Sequence, residues 1–293
     1  MNPVLQKMGY GPHDRVVIVH ADDIGMCQAS TGILPRLFSE GALTAGSLMA
    51  PCAWFPAAAQ WAAANPQADL GVHFTLTCEW DVYRWPSLTG GATLHDDEGY
   101  QYRSMAAVFA AVSRADAHAE IAAQYARARR YGMIPTHFDS HMGTMFGAAT
   151  LESYVAISQQ TQTPAFLVRL DEARLRAGGF DAETAAYQVA HLATLEAAGV
   201  PLCDHMRWLD LGNPAQGIDD VKELFSRLPA GLSYVICHPA ADTPELRAIA
   251  PDWQSRVRDY AVMTNPGLRR HIEAQGIHLI GWRAVQQALV GSL

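Results

Sequence analysis

Short apolar runs rich in β-branched residues alternate along the chain with longer alanine-rich stretches whose apolar positions recur at helical spacing. The runs RVVIVH (15–20), LTAGSLM (43–49), DLGVHFT (69–75), PTHFDSH (135–141), AFLVRL (165–170), LCDHMR (202–207), LSYVICH (232–238) and IHLIGW (277–282) are eight candidate strands. Between them FPAAAQWAAAN, ADAHAEIAAQYARARRYG, DAETAAYQVAHLATLEAAG and NPGLRRHIEAQG predict helices, each of the last three leading to or ending at a glycine that can stop it. Repeated β-α units build a parallel sheet. Eight of them in 293 residues predict an α/β fold, an irregular TIM-like (β/α) barrel, although an open doubly wound sheet has the same local signature.

No linker rich in Ser, Gly or Pro divides the chain, so residues 1–293 read as a single domain. One stretch breaks the alternation: residues 79–105, EWDVYRWPSLTGGATLHDDEGYQYRSM, carry turn signals and aromatic residues but no helical period. A loop this long in a compact domain is expected to serve function. It is placed near the barrel mouth, with Trp80, Tyr83, Trp85, Tyr100 and Tyr102 either stacking on a ligand or packing the loop onto its own domain.

A hydrophobic share of 49% fits a soluble globular protein, and a net charge of -8 argues against a nucleic-acid binder, which needs clustered positive side chains. No apolar run approaches the roughly 18 residues of a membrane helix, and the first residues, MNPVLQKMGYGPHDR, lack the apolar core of a signal peptide. A cytoplasmic protein acting on a small molecule, without membrane insertion, is expected. The five cysteines are scattered, odd in number and never spaced as CxxC, so neither a disulfide scaffold nor a thiolate zinc site is suggested.

Candidate chemistry concentrates at the ends of the strand candidates. VVIVHADDIGM passes through His20 and sets Asp22 beside Asp23, two anions whose crowding at the end of a buried strand calls for a positive partner. Neighbours on an ideal strand point opposite ways, so both can serve one site only if the strand ends before them, with Gly25 allowing the turn. His73 lies late in the third candidate. In PTHFDSH, steps of two put His137, Asp139 and His141 on one strand face, a costly arrangement against an apolar core and one that a divalent cation accounts for. His238 ends YVICH before Pro239. Each has a plainer reading: an aspartate capping the helix near Cys27, a buried core histidine, a polar edge strand. Their shared position at the C-terminal rim of a barrel is what joins them. Imidazoles with a carboxylate suit zinc, and also manganese, iron, cobalt or nickel, with magnesium less usual. One aspartate then binds the cation and the other accepts a proton, but the residues alone treat the two alike.

The motifs HADDIG, GVHFTLT, THFDSH, LVRL and CHP stand in an order that resembles the YdjC-like carbohydrate deacetylases, a family including chitooligosaccharide deacetylase and a hopanoid-biosynthesis branch. The resemblance spans nearly the whole chain. It implies one divalent metal, zinc foremost with magnesium, manganese, cobalt or nickel as alternatives, held by Asp23, His73 and His141. It further implies Asp22 as general base, His238 as general acid, and Arg169 as a contact to substrate or ligands, with His20, His137 and Asp139 around the same site. The expected reaction is hydrolysis of an N-acetyl group on an amino sugar or oligosaccharide. The chain departs from the family at MGTMF after His141, where further histidines are usual, and at Ala240, where glycine is usual. Another metal-dependent amidohydrolase, a phosphoesterase and a non-catalytic carbohydrate-binding relative remain the alternatives, and a homodimer is left open.

Overall fold

The computed structural model describes residues 1–290. Its parallel strands are β1 (Arg15–Ile24), β2 (Ala45–Leu48), β3 (Leu70–Phe74), β4 (Phe138–Ser140), β5 (His205–Trp208), β6 (Gly231–Cys237) and β7 (Ile277–Leu279). They form one sheet in the order β4-β3-β2-β1-β6-β5, with β7 pairing the start of β1. The candidate at 165–170 is not a regular strand. Isolated parallel bridges from Ala165 to Phe138 and from Val168 to Cys203 carry it across the gap between β4 and the start of β5. The sheet therefore curls into a TIM-like half-barrel that continuous pairing does not fully close, a correction to the eight-stranded expectation.

Both faces of β1 are buried, as a parallel strand under crossover helices requires. Val17 and Val19 face one large apolar cluster that takes in Phe55, Ile121, Phe225 and Leu268 from the surrounding helices. Val16 and Ile18 face another inside the curl, with Phe166, Leu232, Tyr234 and Trp282. The predicted helices form close to their expected limits, at Phe55–Ala64, Arg114–Arg130, Ala182–Ala197 and Pro266–Ala274. Ser113 and Asp181 cap two of them, each side chain accepting the backbone N–H three residues on.

β1 does not stop before the aspartates. It runs through both, and Asp23 takes a left-handed backbone with φ 61°. Here the ladder slips: Ala21 pairs Gly46 and Ile24 pairs Leu48, so β1 advances three residues while β2 advances two. The extra residue is a β-bulge, and bulges re-aim side chains. The alternation that would have sent Asp22 and Asp23 to opposite faces is broken inside the strand. Gly25 follows with φ 82°, where an added Cβ would lie 3.1 Å from the Phe55 Cα.

Candidate active site

Asp23, His73 and His141 come together from β1, β3 and the 3₁₀ segment His141–Phe146, with one ligand-type atom from each within 4.8 Å of the others. Asp23 Oδ1 is the common point, 3.4 Å from His73 Nε2 and 3.1 Å from His141 Nδ1. It is buried and has no hydrogen-bond partner.

The neighbouring groups fix which nitrogens carry protons. The Ser47 hydroxyl donates its one hydrogen to Asp139 Oδ2 at 2.9 Å, so toward His73 Nδ1, 3.1 Å away, it can only accept. Asp139 Oδ1 lies 2.9 Å from the same nitrogen. His73 is thereby protonated on Nδ1 and turns the Nε2 lone pair toward Asp23. At His141 the Glu79 carboxylate takes the hydrogen of Nε2 at 3.0 Å, and Nδ1 faces Asp23. Three lone-pair-bearing atoms thus converge on one small volume, which is repulsive unless a positive charge lies among them. The orphaned oxygen, the donor set of two imidazoles and a carboxylate, and the carboxylates behind both imidazoles fit a divalent cation.

The electrostatics agree. Burial pushes the Asp23 carboxyl up, but Arg256 and His141 beside it outweigh burial and hold it well below the usual carboxylate range. Arg256 Nη1 donates to Asp23 Oδ2 at 2.7 Å and its Nε to Asp252 at 2.8 Å. Burial alone would lower His73, yet Asp139 and Asp22 raise it well above an ordinary histidine. His141, likewise lowered by burial, is raised to about 9 by Glu79 and Asp23. Both imidazoles attract a proton in the place where a cation would sit.

Asp22 is set apart from its neighbour. Its Oδ1 accepts from His20 Nδ1 at 2.7 Å, while Oδ2 lies 3.8 Å from His73 Nε2 and 3.9 Å from His238 Nε2. His238, just after β6, is partly exposed and held by its backbone N–H, which donates to buried Asp259 at 2.8 Å. Its Nδ1 has no partner. His20, Asp22 and Asp139 also form a compact group. The His20 nitrogens are committed to Asp22 and His137, however, so that group offers a cation less.

One expectation needs correction, that for Arg169; His20, His137 and Asp139 do stand around the site, buried behind it, and bond to Asp22, His20 and His73 respectively. Arg169 does not join the cluster: its guanidinium is taken by Glu196 and Asp204, and it lines a cavity of about 380 Å³ with Asn2, Leu5 and His205. Residues 79–105 are a long irregular segment, but Trp80 and Trp85 are buried anchors, and Trp80 lies under the Arg256 guanidinium at 5.2 Å.

Two functional residues escaped the sequence reading, Glu79 and Arg256, because a loop carboxylate and a helix arginine carry no periodic signal. A third is Trp208. It is 57% exposed at the C-terminal end of β5, paired with Ile236, which precedes His238 by two residues. Its sheet face is that of Met206 and Tyr234, so it borders the mouth on the His238 side.

The family model described as YdjC-like protein matches residues 16–274. A carbohydrate deacetylase of Thermus thermophilus is 32% identical over 295 residues, covering 98% of this chain and 99% of the relative. A carbohydrate deacetylase of Geobacillus stearothermophilus is 26% identical over 270 residues, covering 92% and 97%. Among solved structures, a protein of Enterococcus faecalis V583 named for cellobiose-phosphate cleavage superposes with a TM-score of 0.76 at 21% identity, covering 93% of this chain and 99% of that one. That likeness shows the fold.

Proposed function

From the premise that the chain belongs to the YdjC-like protein family, we propose that it is a carbohydrate deacetylase, a hydrolase that removes an N-acetyl group from an amino sugar or oligosaccharide with the help of one divalent metal ion. The observation that carries this reading is the pairing of two arrangements: lone pairs of Asp23, His73 and His141 converging on one point, and Asp22 with His238 beside it. The relatives named carbohydrate deacetylase support the substrate class.

Asp23 Oδ1, His73 Nε2 and His141 Nδ1 would hold the metal. When bound it polarises the amide carbonyl and acidifies water beside Asp22. Two imidazoles and a carboxylate form a donor set that catalytic zinc uses, and elemental analysis distinguishes zinc from manganese, cobalt, nickel and magnesium. Asp22 acts as the base. With Oδ1 occupied by His20, its Oδ2 is the oxygen free to take a proton from the attacking water. His238 acts as the acid, delivering a proton to the leaving nitrogen as the C–N bond breaks, so that a neutral amine departs and acetate remains. Arg256 keeps Asp23 ionised and oriented. Trp208 offers an exposed ring face on which a sugar ring can stack.

The test is acetate release from a panel of N-acetylated amino sugars and oligosaccharides. The reading expects release that a chelator abolishes and a divalent ion restores. Release of ammonia or phosphate instead, or of nothing from metal-loaded protein, overturns it.

A further inference from the structure

Behind Asp22 lies a chain of polar groups that the hydrolysis above does not use. His20 donates from Nδ1 to Asp22 Oδ1 at 2.7 Å, and its Nε2 stands 2.7 Å from His137 Nε2. On the far side, His137 Nδ1 is 3.0 Å from Thr136 Oγ1, and that hydroxyl bonds to Asp69 Oδ1. Asp69 Oδ2 accepts the backbone N–H of Arg283 at 2.8 Å. Both rings are fully buried.

The site is built to hold these rings. His137 stacks on Trp282 with centroids 5.4 Å apart and planes 16° apart, while His20 meets His137 edge-on at 82°. Gly71 leaves the space: a Cβ there would sit 2.7 Å from both Cε1 and Nε2 of His137.

Two ring nitrogens 2.7 Å apart cannot both present lone pairs, nor both present hydrogens, so one proton lies between them. His20 Nδ1 must carry a hydrogen in every case, because its partner is a carboxylate. In one arrangement Asp69 carries a proton and donates it to Thr136, Thr136 donates to His137 Nδ1, and both rings are neutral. In the other Thr136 donates to Asp69, His137 Nδ1 donates to Thr136, and the pair holds one additional proton. Either way the bond to Asp22 Oδ1 is kept. The chain ends at Asp69, bonded to Thr136 and a backbone amide.

We propose that His20 and His137 are positioning residues for Asp22: the proton shared between their Nε2 atoms locks the Asp22 carboxylate with Oδ1 inward and Oδ2 toward the reacting centre. This rests on the reading of Asp22 as the base. The experiment compares wild type with His137→Phe, which keeps a flat ring on Trp282 but cannot share a proton, and with His137→Gln, whose amide can still bond to His20. His137→Phe is expected to lower kcat about 100-fold, the scale of a misplaced catalytic group, with KM and metal content unchanged, and His137→Gln to recover part of the loss. In ¹⁵N-histidine-labelled wild type, a through-hydrogen-bond nitrogen–nitrogen coupling between the two Nε2 atoms is expected, and in His137→Phe its loss. Wild-type kcat in folded, metal-loaded His137→Phe overturns the proposal, as does absence of the coupling in wild type. Should His137→Phe not fold, His20→Phe carries the same kinetic expectation and the same power to refute. If wild type releases no acetate from any substrate, the functional reading fails, while the coupling still decides whether the shared proton exists.

Discussion

Asp139 Oδ1 stands 2.9 Å from His73 Nδ1, and across the imidazole ring His73 Nε2 faces Asp23. A carboxylate behind a ligand histidine fixes its tautomer and raises its basicity, and removing such a partner costs about 10–100-fold in metal affinity. Asp139→Ala is expected to weaken metal binding by that factor in a competition titration against a chelator. An affinity equal to wild type would remove Asp139 from the metal site.

The two adjacent aspartates separate cleanly by substitution. Asp23→Asn is the appropriate change because asparagine tolerates the left-handed backbone at φ 61°, where alanine adds strain. Asp23→Asn is expected to lose bound metal, and Asp22→Asn to keep it while losing most turnover, as read by elemental analysis and acetate release on the same preparations. The opposite pattern would exchange the two roles.

Metal-free protein should lose stability as pH rises. His141 is raised to about 9 from 6.5 by Glu79 and Asp23 against the opposing effect of burial, and His73 is raised as well. A folded-state pKa above the unfolded one adds stability that is fully present below about pH 6.5 and disappears as pH passes through 9. For His141 this is about 3 kcal/mol. Urea unfolding of chelator-treated protein across this window is expected to show the decline. Saturation with a divalent ion should remove it, because a ligand imidazole is already neutral.

Trp208→Ala is expected to raise KM for an acetylated sugar about 10-fold, the loss of one aromatic stacking contact with its buried area, and to leave kcat and metal content unchanged. Steady-state kinetics over a range of sugar concentrations reads this directly. An unchanged KM would mean that substrate does not touch this ring.

The sequence pattern revealed the alternation of strands and helices because each buried parallel strand is apolar over its whole length and each helix shows one apolar face. Strand-end position pointed to His20, Asp22, Asp23, His73, His141 and His238 together, and only the resemblance to the YdjC-like family separated Asp23, His73 and His141 as the ligand set. The path of β1 through Asp22 and Asp23 was hidden, because the bulge arises from its pairing with β2 and leaves no local trace. Arg256 was hidden for a similar reason: it reaches Asp23 across 233 residues of chain. Arg169 was placed at the site by the resemblance alone; in the fold AFLVRL is bridged at single residues and the arginine meets carboxylates at Glu196 and Asp204. The loop aromatics left two readings open, stacking on a ligand or packing the loop onto its own domain. In the fold, Trp80 and Trp85 serve to moor the loop.

Glu79 belongs to the long irregular segment and yet holds the outer nitrogen of His141. Any displacement of this segment that carries Glu79 outward also slackens one of the three side chains gathered at Asp23. On the proposed metal-binding reading, the set of this segment and the grip on a cation are therefore geared to one another, and trimming the segment to widen the entrance would loosen the very centre it was meant to expose.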